Sequence, residues 1–400
     1  MSQLPKKIIV IAGYGWSLVN FRIELLKRMV ANGHDVLALA PDIDEPTAAI
    51  LEKWGIRHGH VRMNRTGTNP VQDFQTFVDL YRIFKKEKPD HIVPYTMKPI
   101  VYGGMAARLA GVPNQYALFT GLGYAFMEEN PTGKRALVRA TTVRLHRLAL
   151  KSLKGAFYYN PSEEQDIRKF RLVPDSVPLH AVPGSGVDTS LFNAPPPPTD
   201  PVRFIMICRL LKSKGIPVLV EASRRLKAQG LKAEVCILGP MDTNPDAVTR
   251  VELDQWVSEG VINYLGETRD VRPFLQDSGV FVLPTVLREG VPRTILEAMA
   301  CGRAVITTDA PGCGTTIRDG ETGFVVPSHD AERLAEAMAK FIRDPSLITQ
   351  MGAAGRKLAC DVYDVHKINR LLLTTMGLEG EVAPQLLTEE LGQKETAAAQ

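Results

Sequence analysis

Short, nearly unbroken apolar runs recur along this chain, separated by longer stretches in which apolar positions return at helical spacing. In the first half such runs fall at 8–12, 36–40, 91–94, 116–119, 156–159 and 179–182. In the second half they fall at 203–208, 234–238, 261–265, 280–283, 304–307 and 323–326. A strand that is apolar on both sides belongs to a parallel sheet covered on both faces. The alternation of such strands with helices predicts an α/β chain made of two Rossmann-like, doubly wound domains. The halves meet at Asn193-Ala194-Pro195-Pro196-Pro197-Pro198-Thr199-Asp200-Pro201. A proline run is stiff and donates no backbone N–H, so it cannot sit inside a sheet. The expected organisation is a first domain over 1–194, a linker over 195–201, a second domain over 202–360, a helix over 361–377 and a disordered, polar tail over 378–400.

Composition narrows the class without naming a chemistry. Four hundred residues exceed what one core usually supports. An apolar share of 44% with 23% charged residues is that of an ordinary globular protein. The net charge of +4 is too mild to argue for a nucleic-acid partner. The five cysteines are odd in number, lack metal-type spacing and read as buried thiols of a reducing cytoplasm. The run Ile8-Ile9-Val10-Ile11-Ala12 is too short for a signal-peptide core or a spanning helix, and no other run reaches spanning length. The expectation is a chain that is soluble or attached to a membrane surface.

The densest chemical signal is Arg288-Glu289-Gly290-Val291-Pro292-Arg293-Thr294-Ile295-Leu296-Glu297-Ala298-Met299-Ala300-Cys301-Gly302. It follows the strand candidate 280–283 and reads as a loop, then a helix ending at Gly302. Glu289 falls in the loop at the carboxyl end of the strand, where open α/β sheets bind ligands. Glu297 lies about two turns into the helix. Between them the helix start offers free N–H groups and a positive dipole end, which suits a phosphate. Gly290, Val291, Pro292, Arg293 and Thr294 would line that phosphate. One carboxylate can meet sugar hydroxyls and the other a ribose, a spacing that fits a nucleotide-sugar.

This segment resembles the E-x7-E signature of glycosyltransferase family 4, retaining enzymes of GT-B fold, whose two Rossmann-like domains face a cleft. Gly302-Arg303-Ala304-Val305-Ile306-Thr307-Thr308-Asp309-Ala310-Pro311-Gly312-Cys313 and Gly320-Glu321-Thr322-Gly323-Phe324-Val325-Val326-Pro327 continue the resemblance, which covers most of 6–375. Arg288, Arg293 and Gly312-Cys313 look like the bacterial members that extend undecaprenyl-diphosphate-linked oligosaccharides. The resemblance implies that the helix near 361–377 crosses back onto the first domain. It implies no cofactor, a UDP-linked donor, and an acceptor met at the inner face of the cytoplasmic membrane.

In Cys208-Arg209-Leu210-Leu211-Lys212-Ser213-Lys214-Gly215, Arg209 and Lys214 leave a strand end just before a helix. Two cations there can clamp a diphosphate and neutralise the leaving group. The family carries Arg and Lys at the matching positions of G-R-L-x-x-x-K-G; here Cys208 replaces the first Gly. Arg209, Lys214 and Glu289 are therefore the expected catalytic groups, with Glu297 as the ribose anchor.

The first half is less decisive. Gly13-Tyr14-Gly15-Trp16-Ser17-Leu18 is an incomplete dinucleotide fingerprint, because Leu18 replaces the third glycine. Asp42 and Asp44 offer a ribose anchor or a metal-binding pair, but Asp-Ile-Asp before Pro46 reads most simply as turn and cap chemistry. The glycines, Gly15 among them, let backbone approach the acceptor, and by resemblance Ser17, Asn20 and Arg22 line the acceptor side. Lys98, in a loop after a strand, can hold an acceptor phosphate. Gly121 and Gly123, in Thr120-Gly121-Leu122-Gly123-Tyr124, follow another strand, and the family's frequent histidine is missing there. From Lys134 to Lys154 there are seven cations and no acid. On a helix Arg144, Arg147, Lys151 and Lys154 line one face, which suits anionic lipid.

The resulting expectation is a metal-independent retaining glycosyltransferase with a nucleotide-sugar donor and a lipid-linked saccharide acceptor. A nucleotide-sugar epimerase of the same shape and a non-enzymatic two-domain sugar-binding protein remain as alternatives. The sugar, base, linkage and acceptor are open.

Overall fold

The apolar runs of the first half assemble into a seven-stranded parallel sheet. Its strands are β1 (Lys7–Ile11), β2 (Asp35–Ala40), β3 (Arg57–His60), β4 (His91–Pro94), β5 (Asn114–Leu118), β6 (Gly155–Tyr158) and β7 (Leu179–Ala181), in the spatial order β3-β2-β1-β4-β5-β6-β7. The computed structural model describes residues 4–64, 69–123, 126 and 131–379, the side chain of 134 excepted; Tyr124 and the tail from 380 onward lie outside the described residues. The helices of this half are α1 (Trp16–Ala31), α2 (Glu45–Lys53), α3 (Pro70–Glu87), α4 (Met97–Ala110), α5 (Gly133–Ala149) and α6 (Pro161–Lys169).

Period-two alternation in β1 explains why the run is apolar throughout. Ile8 and Val10 join one core with Leu18 and Leu25 of α1 and Leu51 of α2. Ile9 and Ile11 join another with Leu80 and Phe84 of α3 and Ala106 of α4. Both faces are covered, as a parallel sheet requires.

The second half forms a six-stranded parallel sheet of β8 (Arg203–Ile207), β9 (Glu234–Leu238), β10 (Asn263–Tyr264), β11 (Val280–Leu283), β12 (Ala304–Thr308) and β13 (Gly323–Val326), in the order β10-β9-β8-β11-β12-β13. It is wrapped by α7 (Ile216–Ala228), α8 (Arg250–Ser258), α9 (Arg272–Gln276), α10 (Arg293–Ala300), α11 (Ala331–Arg343) and α12 (Ser346–Val362), and shares one continuous core. A last helix, α13 (Val365–Thr375), follows.

Two compact units result: one of 1–182 with 366–400, the other of 183–365. The expected boundary at 194 does not coincide with this division. Val187 already donates its N–H to Tyr363 O at 2.9 Å, and Phe192 lies in the second core. The proline run belongs to the second unit as well, because Arg303 donates to Pro195 O at 3.1 Å. The C-terminal helix divides too: α12 stays with the second unit, whereas Ile368, Leu372 and Leu373 of α13 enter the first unit's core.

Candidate active site

In open α/β sheets ligands bind at the carboxyl ends of strands where the strand order reverses. In the second unit that reversal lies between β8, which pairs on its other side with β9, and β11, which pairs on its other side with β12. Four loops gather at this edge. Gly215 (φ +89°) lets the loop after β8 lie on the loop after β11, since a Cβ there would stand 1.9 Å from Pro284 O. Val286 donates its N–H to Ser213 O at 3.0 Å. Gly312 (φ +84°) does the same for the loop after β12, where a Cβ would stand 2.1 Å from Glu289 O. Glu289 N donates to Pro311 O at 2.9 Å.

The charged groups expected from the sequence converge here. Lys214 Nζ forms an ion pair with Glu289 Oε1, both side chains mostly buried. Arg209 pairs with Asp242 Oδ2 at 2.8 Å. The N–H of Asn244 and then Arg209 hold the Asp242 carboxyl below its usual range. Neighbouring Asp246 accepts from Ser213 N at 3.1 Å and from the Ser213 hydroxyl, while Lys212 N donates to Asp246 O at 2.9 Å. The loop after β9 therefore braces the one that carries both cations. Neither aspartate was singled out from the sequence. The Asn-Pro-Asp turn around them was the available signal, but a partner 33 positions away gives no local trace.

At the start of α10, Pro292 stands at the N-cap in extended conformation without a side-chain cap. Gly290 and Pro292 are buried, and Val291, Arg293 and Thr294 are half-buried. Glu297 is only 7% exposed, and burial pushes its carboxyl up despite Arg293, whose Nε stands 2.9 Å from Oε1. Burial raises the Cys208 thiol to about 12 and raises Cys313 as well, although Lys214 acts on both. Neither supplies a thiolate nucleophile.

In the first unit the order reverses between β1 and β4. Gly15 N donates to Asp42 Oδ1 at 2.6 Å, and Asp44 accepts from Thr47 N at 3.0 Å as the N-cap of α2. Turn and cap chemistry thus occupies both aspartates. Ser17 is buried and lies 2.7 Å from the Tyr95 hydroxyl; Asn20 is exposed. Lys98 Nζ pairs with Asp73 of α3 at 2.8 Å, so it does not stand as an open cation. Gly121 (φ +110°) and Gly123 (φ +70°) occupy left-handed backbone after β5.

The basic stretch departs from expectation. α5 ends at Ala149, a 3-10 turn covers 150–152, and Leu153 is extended. Lys151 and Lys154 therefore do not continue one helical face with Arg144 and Arg147. Arg147 donates to Phe170 O and Arg171 O, and Val143 and Ala149 enter the core. Leu137 and Leu148 remain exposed beside the cations. Among the described residues no helix is long and apolar enough to cross a membrane.

With this geometry in view, two family profiles match the chain. The one described as Glycosyl transferases group 1 matches 201–344, and the one described as Glycosyl transferase 4-like matches 7–153. The chain belongs to the family-4-like glycosyltransferases, and its two Rossmann-like units are those of a GT-B enzyme. It is 26% identical over 350 residues to the N,N'-diacetylbacillosaminyl-diphospho-undecaprenol alpha-1,3-N-acetylgalactosaminyltransferase of Campylobacter jejuni, covering 83% of this chain and 88% of that protein. To the UDP-Gal:alpha-D-GlcNAc-diphosphoundecaprenol alpha-1,3-galactosyltransferase of Escherichia coli it is 27% identical, covering 69% and 72%. Anabaena HepE, solved in complex with UDP, has the same fold: TM-score 0.74 at 17% identity over 93% of this chain and 99% of that one.

Proposed function

We propose that this glycosyltransferase moves a hexose or N-acetylhexosamine from a UDP-linked donor onto a lipid-diphosphate-linked saccharide, with retention at the anomeric carbon. The observation that carries the reading is the cation cluster at the carboxyl edge of the second sheet. Lys214 lies against Glu289, and Arg209 is braced beside it, next to the uncapped start of α10. In this assignment the N–H groups of α10 and Gly290 to Thr294 take the diphosphate. Glu297 takes the ribose and Glu289 the sugar hydroxyls. Arg209 and Lys214 meet the charge that grows on the leaving diphosphate. The acceptor hydroxyl attacks on the face the nucleotide leaves, and the departing phosphate takes its proton. The protein contributes position and charge rather than a nucleophile. The two relatives above, both named for diphosphoundecaprenol-linked substrates, support this acceptor class. In this reading the enzyme works at the cytoplasmic face of the membrane, and the exposed cations of α5 and of the turn after it meet the lipid. No metal enters this reading; the hydrogen bonds of Asp42 and Asp44 to backbone amides support it.

The test is a panel of nucleotide-sugars incubated with membrane lipid extract, with and without EDTA, the product's anomeric configuration read by NMR. Transfer from a UDP-sugar, undiminished by chelator and with retained configuration, is the expected result. Conversion of the donor without any acceptor would identify an epimerase instead.

A further inference from the structure

Two arginines among the described residues are buried, and they are satisfied very differently. Arg303, fully buried, donates to Leu275 O at 2.7 Å, to Gln276 O at 3.2 Å and through two nitrogens to Pro195 O at 3.1 Å. That is how a structural guanidinium is accommodated: its donors are spread over carbonyls. Arg22 is 3% exposed, yet among the described residues the only hydrogen bond of its guanidinium goes to the Tyr159 hydroxyl. Its Nε is buried with no partner, and among the described residues it forms no ion pair. A guanidinium cannot shed its proton to escape burial. Holding that charge in a buried side chain with Nε unused is unfavourable. Here two aromatic faces offset part of that cost: Cζ lies 5.2 Å from the Tyr95 ring centre and 5.9 Å from that of Tyr159.

The position is as telling as the deficit. Tyr95 follows β4 directly, Tyr159 follows β6 directly, and Arg22 sits in the second turn of α1. This is the carboxyl edge of the first sheet at its reversal between β1 and β4. Ser17 Oγ donates to Tyr14 O at 2.5 Å, so the Tyr95 hydroxyl donates to Ser17 Oγ at 2.7 Å and its ring is fixed. The rings hold the planar fork in one orientation while Nε stays unspent, which suits contact with an oxyanion.

We propose that Arg22, caged by Tyr95 and Tyr159, is an oxyanion-binding site of the first unit that reads an anionic group of the acceptor. The group is either a phosphate of its diphosphate or a carboxylate of an acidic sugar. The acceptor's part in this rests on the transferase reading above; the anion site itself does not.

Thermal unfolding of the full chain in saturating UDP, which occupies the second unit, tests it with inorganic pyrophosphate and glucuronate as probes. Wild type is expected to gain Tm with one probe: pyrophosphate assigns the phosphate, glucuronate the carboxylate. Arg22→Met is expected to keep or raise Tm in plain buffer, because an unmatched charge has gone, and to lose the response to the probe. Its KM for the lipid-linked acceptor should rise roughly tenfold to a hundredfold, the scale of one lost charge-assisted contact, with donor KM unchanged. Arg22→Lys, which keeps the charge without the fork, should regain part of the response. A wild type indifferent to both probes, or a folded Arg22→Met that still responds, overturns the proposal. If neither variant folds, a crystal structure of wild type with pyrophosphate and UDP decides: an oxyanion within hydrogen-bond reach of Arg22 upholds it, and its absence there overturns it. Lack of transfer to any acceptor would sink the transferase reading while the probe response still judged Arg22.

Discussion

Arg22 at the carboxyl edge of the first sheet and the cations at that of the second are handled in opposite ways. In the second unit Arg209, Lys214 and Arg293 each touch a carboxylate, from Asp242, Glu289 and Glu297. In the first unit Arg22 has aromatic rings in place of a carboxylate. A paired cation is already aimed, so little reorganisation is needed when charge develops beside it. An unmatched cation is a standing demand for a counter-charge. The first arrangement suits a site that must stabilise a changing charge, the second a site that must recognise a fixed one.

The sharpest way to break this contrast is to remove the aimed cations. Arg209→Met or Lys214→Met should lower turnover roughly a hundredfold or more, by analogy with lost transition-state donors. A rise in donor KM with turnover intact would mean uniform ground-state binding instead. Pairing Lys214→Met with Glu289→Gln should restore any stability lost by stranding the half-buried carboxylate, but not the turnover.

Glu297 gives a smaller effect with a pH signature. Glu297→Ala should weaken UDP binding by about 1.5–3 kcal/mol, read by calorimetry. Burial raises this carboxyl, and the ribose contact needs the charged form. Affinity is therefore present above the raised folded-state pKa and lost as pH falls through it. In wild type the loss should begin at higher pH than an ordinary glutamate near about 4.3 would give. A flat profile, or an unaffected alanine variant, would remove Glu297 from the ribose.

Weakest of all should be the surface cations after β5. Near anionic lipid each contributes about 1 kcal/mol at most, screened by salt. Because Arg147 is held by the carbonyls of 170 and 171, Arg144, Lys151 and Lys154 are the cations to test. Changing the three to Gln should reduce co-sedimentation with anionic vesicles at low salt and leave UDP binding alone. Equal pelleting of both proteins at low and high salt would exclude this surface.

How much of this was visible in the sequence follows from where the information sits. The central strands of both sheets announce themselves because both of their faces are buried; β3, with the sequence Arg-His-Gly-His, does not, being a half-exposed edge strand. Glu289 and Glu297 were placed by a contiguous strand, loop and helix start. Asp242, Asp246 and the Tyr95–Arg22–Tyr159 stack depend on residues far apart in the chain, which local pattern does not encode. The division at 182/183 was hidden for a related reason. A proline run looks like a join, whereas the real one is set by Val187 bonding to Tyr363 across the second unit.

That division has a consequence for biosynthesis. The second unit is one uninterrupted segment, 183–365, but the first is completed only by residues that follow it. Ile368, Leu372, Leu373, Met376 and Leu378 pack with Leu18 and Leu25, and Leu378 O accepts from Asn32 Nδ2 at 2.9 Å. On the ribosome the half made first must therefore wait with part of its core open. The half made second can close before it. At roughly 5–20 residues per second that wait lasts on the order of ten seconds or more. During it the exposed side of α1 is a ready substrate for chaperones, and a chain that stops short of α13 would leave it so permanently.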